Sequence, residues 1–318
     1  MNAEVVQQAS TQSKSKFQLL KRQVYKERQL WLICIPMIIW VVIFSYLPMY
    51  GLVIAFMKYI PGKPMFSSEW VGLLHFKTFF HSPDFWNVLR NTLAISGLGI
   101  VFGFISPIIL ALLLNELRHK VFKRFVQTIS YLPHFISWVV VASILFAILG
   151  NEGFLNDMLL RLGIIDKPIS FLGEGKYFWG ILTTTNIWKD VGWATIIYLS
   201  AIAGVDTEMY DAGKVDGLGR FGTVWHIILP SIRPTIVLLF ILGLGGILNA
   251  GFEQQLLIGN SQTREYHEVI DTYAYKYGIQ LGNYSYGAAI NFLKSIIALA
   301  LVLGANRISK KALDTSIL

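Results

Sequence analysis

Apolar positions in this chain neither alternate nor return on one helical face; they run on. Three stretches, 29–57, 91–115 and 125–151, contain no Asp, Glu, Lys or Arg. Each exceeds the roughly 20 apolar residues that a helix rising about 1.5 Å per residue needs to cross a bilayer. Three more reach that length if charged interruptions are tolerated: 177–205 carries Lys189 and Asp190, 234–258 carries Glu253, and 284–306 carries Lys294. The pattern predicts an all-α polytopic membrane protein with six transmembrane helices. An even count puts both termini on one side.

Composition agrees. Only 14% of the 318 residues are charged, against about 25% in a soluble domain. The net charge of +8 is a matter of distribution. Six basic residues precede the first span (Lys14, Lys16, Lys21, Arg22, Lys26, Arg28), four lie in 116–124, three in 206–233 and three after the last span (Arg307, Lys310, Lys311). The alternate face has nine: Lys58, Lys63, Lys77, Arg90, Arg161, Lys167, Lys176, Arg264 and Lys276. Sixteen against nine predicts both termini in the cytoplasm. This gives a cytoplasmic tail 1–29, a membrane domain 30–308 with a long cytoplasmic loop 206–233, and a tail 309–318. It also absorbs the basic balance without nucleic acid. The polar start is too long for the n-region of a cleaved signal. The single Cys34 offers neither a disulfide nor a thiolate metal site.

No catalytic or nucleotide motif is visible. "GEGKYF" at 173–178 lacks the spacing and hydroxyl of a phosphate loop, His267–Glu268 has no second histidine four residues from the first, and no G-x-S-x-G occurs. The six histidines are scattered along the sequence. The chain is therefore expected to bind no metal and no cofactor of its own, leaving a channel, a self-powered carrier or one part of a larger machine.

The 206–233 loop contains "YDAGKVDGLGRFGTVWHIILP" (210–230). Asp206 can cap a helix whose first turns hold Glu208 and Asp211, favourable near a positive dipole end. Met209, Ala212 and Val215 make a narrow apolar stripe. Asp216–Gly217–Leu218–Gly219 reads as a turn. A second short helix with Val224, Trp225, Ile227 and Ile228 is expected to stop near Pro230, and Pro234 suits the start of the next span. Either this is a solvated connector or a helix lying on the headgroups, or it is a stiff, hinged helix pair presented to a cytoplasmic partner.

The loop resembles the signature of binding-protein-dependent ABC importer permeases, E-A-A-x-x-x-G followed by I-x-L-P. It appears here as Asp211–Ala212–Gly213, Gly217 and Ile227–Ile228–Leu229–Pro230, with Asp for Glu at 211 and Gly for Ala at 213. "YLPMYGLVIAF" (46–56), "SPDFWNVLRNTL" (82–93), "LALLLNELR" (110–118), "QTISYLPHFISWVVV" (127–141), "IWKDVGWATIIYLSAIAGVD" (187–206), "LPSIRPTIV" (229–237) and "GFEQQLL" (251–257) are similar to the branch that imports oligosaccharides or polysaccharide fragments. The resemblance implies the type I importer permease fold in a bacterial cell membrane. It also implies a second permease subunit, two cytoplasmic ATPase subunits that hold the ATP and Mg, and an extracytoplasmic sugar-binding protein. It gives the ATPase contact to Glu208, Tyr210, Asp211, Ala212, Gly213, Asp216, Gly217, Leu229 and Pro230.

Charges at mid-depth cost at least about 2.5–3.5 kcal/mol on the insertion scale, so Lys189, Asp190 and Lys294 demand partners. Asp190 could neutralise one of the lysines. Alternatively, Trp188, Lys189, Asp190, Asn249, Glu253, Gln254, Asn291 and Lys294 partly line a sugar route, although Trp188 and Trp193 also suit packing or lipid. Gly99, Gly103, Gly243, Gly245 and Gly246 could admit close helix approach. An ion-coupled secondary sugar carrier would account for the buried charges but not for the helix–hinge–helix loop. A membrane-embedded enzyme would need a convergent catalytic set.

Overall fold

The structure, a computed structural model, describes residues 26–313, with side chains to 310. Lys14, Lys16, Lys21 and Arg22 and the side chain of Lys311, used above for orientation, fall outside the described residues. The chain divides into two compact units, 1–54 and 55–318. The first holds α1 (Arg28–Val41), which continues through a π-helical turn (Val42–Tyr46) into a 3-10 stretch, Leu47–Phe56, whose last two residues belong to the second.

The second unit begins with a small ribbon, β1 (Met57–Lys58) antiparallel to β2 (Glu69–Trp70), a minor departure from the all-α expectation. Helices follow: α2 (Leu74–Phe80), α3 (Phe85–Leu98), α4 (Phe104–Glu116), α5 (Lys120–Tyr131), α6 (Trp138–Leu149), α7 (Phe154–Arg161) and α8 (Gly175–Ala203). The 206–233 loop holds α9 (Thr207–Val215), α10 (Arg220–Thr223) and the start of α11 (Leu229–Leu244). Then come α12 (Phe252–Ile258), α13 (Arg264–His267), α14 (Ile270–Tyr275) and α15 (Tyr284–Leu313).

Among the described residues, five helical stretches are long and apolar enough to cross a membrane: Arg28–Phe56, Phe85–Glu116, Trp138–Arg161, Arg220–Leu244 and Tyr284–Lys310. Helix α8 is not among them. Its 29 residues give a length of about 43 Å, but Lys189 and Asp190 interrupt its middle.

Two expected spans are built differently. The 125–151 run breaks after α5: Leu132–Phe135 is a 3-10 turn, Ile136 and Ser137 are extended, and Ser137 Oγ caps α6 by accepting from Val140 N at 3.4 Å. The break falls at Pro133, which has no N–H to continue the ladder. The 234–258 run is also displaced. Helix runs unbroken from Arg220 to Leu244, so Pro230 does not stop it. A π turn over Val224–Ile228, closed by Leu229 N on Val224 O, shifts the ladder just before Pro230. The span ends at the glycines 243, 245 and 246, and Gly251 at φ 85° turns the chain into α12.

Helix α8 is the axis of the second unit. Near its Gly175 end it shares a core of Ile95, Ala142, Leu172, Phe178, Leu182, Ala250, Ile258 and Val269. Near its Ala203 end, Ala111, Tyr198, Ile202, Ile228 and Ile232 pack together. Midway, Gly192 lets α5 cross. A Cβ there would stand 2.0 Å from Ser130 O.

Candidate functional site

Helices α3, α4, α8, α11 and α12, with the π turn Gly99–Gly103 and the 245–251 turn, surround a cleft of about 390 Å³. Its polar wall is Ser96, Asn186, Asn249 and Gln254; Ile95, Ile100, Phe104, Phe240 and Leu244 supply apolar surface. A second lobe of about 270 Å³ shares Ile95, Gly99 and Asn186 and adds Thr183 and Asp190. Amides, hydroxyls and apolar faces together suit a polyhydroxylated ligand. The hydroxyls of Ser96 and Thr183 are buried without a hydrogen-bond partner among the described residues.

Of the glycines expected to admit close helix approach, Gly245 does so, with Val302 Cγ2 of α15 3.3 Å from where its Cβ would be; three others do something else. A Cβ at Gly99, Gly103 or Gly243 would meet nothing within 4 Å. All three line the cleft and leave it wide. Gly251 is the exception in kind: its positive φ makes the turn, and Gln254 Oε1 lies 2.7 Å from where its Cβ would be.

The charges within the apolar runs find partners other than those expected. The break at Pro133 opens backbone carbonyls, and the buried Lys189 fills the gap, donating to His134 O at 2.6 Å and Pro133 O at 3.4 Å. Asp190 Oδ1 meets His134 Nδ1 at 2.9 Å, and the His134 ring stacks on Trp193 at 4.7 Å and 2°. Lys294 pairs closely with Asp271, joining α15 to α14. Asp190 therefore neutralises neither lysine. One residue further along the helix, it points about 100° away from Lys189, toward the cleft.

Of the expected route residues, Asp190, Asn249 and Gln254 line the cleft. Lys189 and Lys294 are engaged in structural contacts instead. Trp188, Glu253 and Asn291 are exposed and line neither lobe. Ser96, Thr183 and Asn186 were missed. Thr183, Asn186 and Asp190 lie at i, i+3 and i+7, a polar helical stripe that spacing alone makes visible.

At the Gly175 end of α8, a polar cluster ties α3 to the segment before α14. Asn91 Nδ2 donates to Glu265 O at 2.9 Å and Glu268 O at 3.0 Å, and Trp179 Nε1 donates to Tyr266 O at 2.9 Å. Arg264 lies between Glu268 (3.1 Å) and Asp84 (3.4 Å), which raise its pKa, Glu268 foremost. Lys276 also meets Glu268, at 3.2 Å. Burial lowers the pKa of His267, which sits against Phe178 and Thr263.

At the Ala203 end, the 206–233 loop has two faces. Asp206 Oδ1 accepts from Glu208 N at 2.9 Å, the expected cap, and Gly217 holds φ 76°, the expected turn. The inner face is Tyr210, Gly213, Leu218 and Ile227. The Gly213 that replaces the signature alanine leaves room for Ile227, whose Cδ1 lies 2.6 Å from where an alanine Cβ would stand. Burial raises the Tyr210 pKa, with a smaller push from Glu116. The outer face is apolar: Met209, Val215, Phe221 and Trp225 are exposed by 44, 88, 93 and 70%. Asp211 pairs with Lys214 at 2.8 Å in solvent, and Ala212 and Asp216 are exposed. Leu229 and Pro230 lie within the helix rather than at a stop.

Comparisons with known proteins agree with this architecture. Residues 99–312 match the family of the binding-protein-dependent transport system inner membrane component. Protein LplB of Bacillus subtilis (strain 168) is 46% identical over 90% of each chain. The polygalacturonan/rhamnogalacturonan transport system permease protein YteP of the same organism is 43% identical over 94% of this chain and 92% of its own. A chain of a bacterial alginate ABC transporter, solved with an alginate pentasaccharide-bound periplasmic protein, superposes with a TM-score of 0.85 at 39% identity, covering 93% of this chain and 99% of its own. A second structure, of an ABC transporter for the acidic polysaccharide alginate, matches with the same score and identity over 92% and 99%. This multi-pass membrane protein thus belongs to the family of binding-protein-dependent transport system inner membrane components.

Proposed function

We propose that the chain is one of two permease subunits of an ATP-driven importer that passes an oligosaccharide or polysaccharide fragment delivered by an extracytoplasmic binding protein. The observation that carries this reading is the outward apolar face of the 206–233 loop. Large apolar side chains exposed on a short polar loop mark an unfilled interface, and this one is stiffened by a cap, a glycine turn and an internal core. An ATPase subunit docked on Met209, Val215 and Phe221 would move α9 and α10 as a unit. Because α10 runs without a break into α11, which lines the cleft through Phe240 and Leu244, that motion reaches the route directly. ATP and Mg belong to the partners, and this chain does no covalent chemistry. An ion-coupled carrier would have no use for such a loop.

The test is co-purification in mild detergent with both ATPase and binding protein. Val215→Glu places a charge on the outer face. Gly217→Val puts a β-branched side chain at positive φ, at a cost of at least about 1 kcal/mol. Both variants are expected to keep the partner permease. They should also lose either the ATPase or the stimulation of its hydrolysis by loaded binding protein. Normal uptake and stimulation in both would reduce the loop to a connector.

A further inference from the structure

If the cleft is the saccharide route, its lining also states which saccharides suit it. Sugar hydroxyls donate and accept, and carboxamides such as Asn186, Asn249 and Gln254 answer them in both senses. A uronate carboxylate accepts only, and is matched by arginine or lysine. Among the described residues, no arginine or lysine lines either lobe. The nearest candidate, Lys189, is 6% exposed and engaged with the carbonyls of Pro133 and His134. Lys294 is matched by Asp271. Arg90, Arg264 and Lys276 sit at the Gly175 end, against Glu265, Asp84 and Glu268. The ionisable side chain that does line the route is Asp190, 55% exposed, with His134 beside it.

We infer that this subunit selects uncharged oligosaccharides and holds back uronate-bearing ones, with Asp190 as the discriminating residue. This rests on the importer reading and narrows it, in contrast to the relatives named for polygalacturonan/rhamnogalacturonan and for the acidic polysaccharide alginate. A passing uronate would lose water, gain no cation and meet a like charge. Within several ångströms and under partial burial, that repulsion corresponds to roughly tenfold or more in rate. A neutral sugar would instead find in Asp190 a strong acceptor for its hydroxyls.

The experiment uses the whole importer, with both permeases, ATPases and binding protein, in proteoliposomes. The probes are neutral tetrasaccharides of glucose, xylose, arabinose and galactose, together with tetragalacturonate, its fully methyl-esterified uncharged form, and tetramannuronate. At least one neutral probe is expected to be taken up with ATP, at roughly tenfold or more the rate of either acid. Asp190→Asn should shrink that ratio severalfold, and Asp190→Ser should do the same if the amide packs poorly. Acids carried as fast as neutral probes by the unaltered complex would overturn the inference. So would a ratio unmoved in both variants, since the binding protein would then be the selector. Silence towards every probe, without stimulated ATP hydrolysis, would instead remove the importer reading and take this one with it.

Discussion

Lys189 shows how a buried charge on α8 can be a backbone donor. A helix broken at Pro133 exposes carbonyls that would find no water if α8 crosses the bilayer, and the Lys189 ammonium donates to two of them. Lys189→Met should therefore destabilise by about 1–3 kcal/mol, since His134 O loses its donor while Pro133 O keeps Ile136 N at 3.1 Å. Asp190→Asn should cost under about 1 kcal/mol, because Asp190 itself is half-open to solvent and an amide can still bond to His134. Thermal unfolding of the detergent-solubilised protein would rank the two, and the reverse order would refute the capping account. Neutralising Asp190 together with Lys189 should give no rescue, because they are not paired. Gly192 supplies a second residue-level test. An added methyl would collide with Ser130 backbone, whereas Gly180, also on α8, has open space around it. Gly192→Ala should abolish the monodisperse folded peak in size-exclusion chromatography, while Gly180→Ala should leave it unchanged or improve stability by up to about 1 kcal/mol. Equal behaviour would mean that α5 and α8 do not cross at that point.

At the scale of elements, local signals were legible where the chain obeys local rules. The Asp206 cap, α9 and the left-handed Gly217 follow from residue type and position. Breaks inside apolar runs were not, because hydropathy sums over a window and ignores where a ladder fails. Pro133 and the glycines from 243 to 251 interrupt expected spans, yet Pro230 and Pro234 are absorbed into one. The difference is the π turn ahead of Pro230, which no composition reports. The anchoring of α13 was also hidden, since Asn91 and Trp179 bind backbone carbonyls. That anchoring yields a pH effect. Burial holds the pKa of His267 below its ordinary value of about 6.5. The unfolded chain then binds more protons as the medium acidifies, so this contribution is complete above pH of about 6.5 and is lost as pH falls through it. Acidification from about pH 7.5 to 5.5 should lower the unfolding temperature more in the unaltered protein than in His267→Gln. Parallel slopes would show that His267 is not responsible.

For the whole molecule, the decisive element is α8. Five of the described stretches are apolar enough to cross unaided; α8 is long enough but carries Thr183, Asn186, Lys189 and Asp190. Its polar groups are accounted for inward, by the cleft and by the Pro133 break, so lipid need not meet them. A crossing α8 makes six spans and puts the 206–233 loop and the Gly175-end cluster on opposite sides. If α8 does cross, the charge asymmetry would place the loop and both termini in the cytoplasm. Single cysteines test this in a Cys34→Ala background. Asp166 and Ser261 are exposed on the Gly175 side, and Asp216 is exposed in the loop. Thr263, close by, is buried and bonded to Asn260, so Ser261 is the better outer reporter. An impermeant thiol reagent added to intact cells should label Asp166→Cys and Ser261→Cys, and should reach Asp216→Cys only after permeabilisation. Labelling of Asp216→Cys alone would invert the orientation. Labelling of Asp166→Cys and Asp216→Cys together from outside would mean that α8 does not cross, leaving the loop on the side away from any cytoplasmic ATPase.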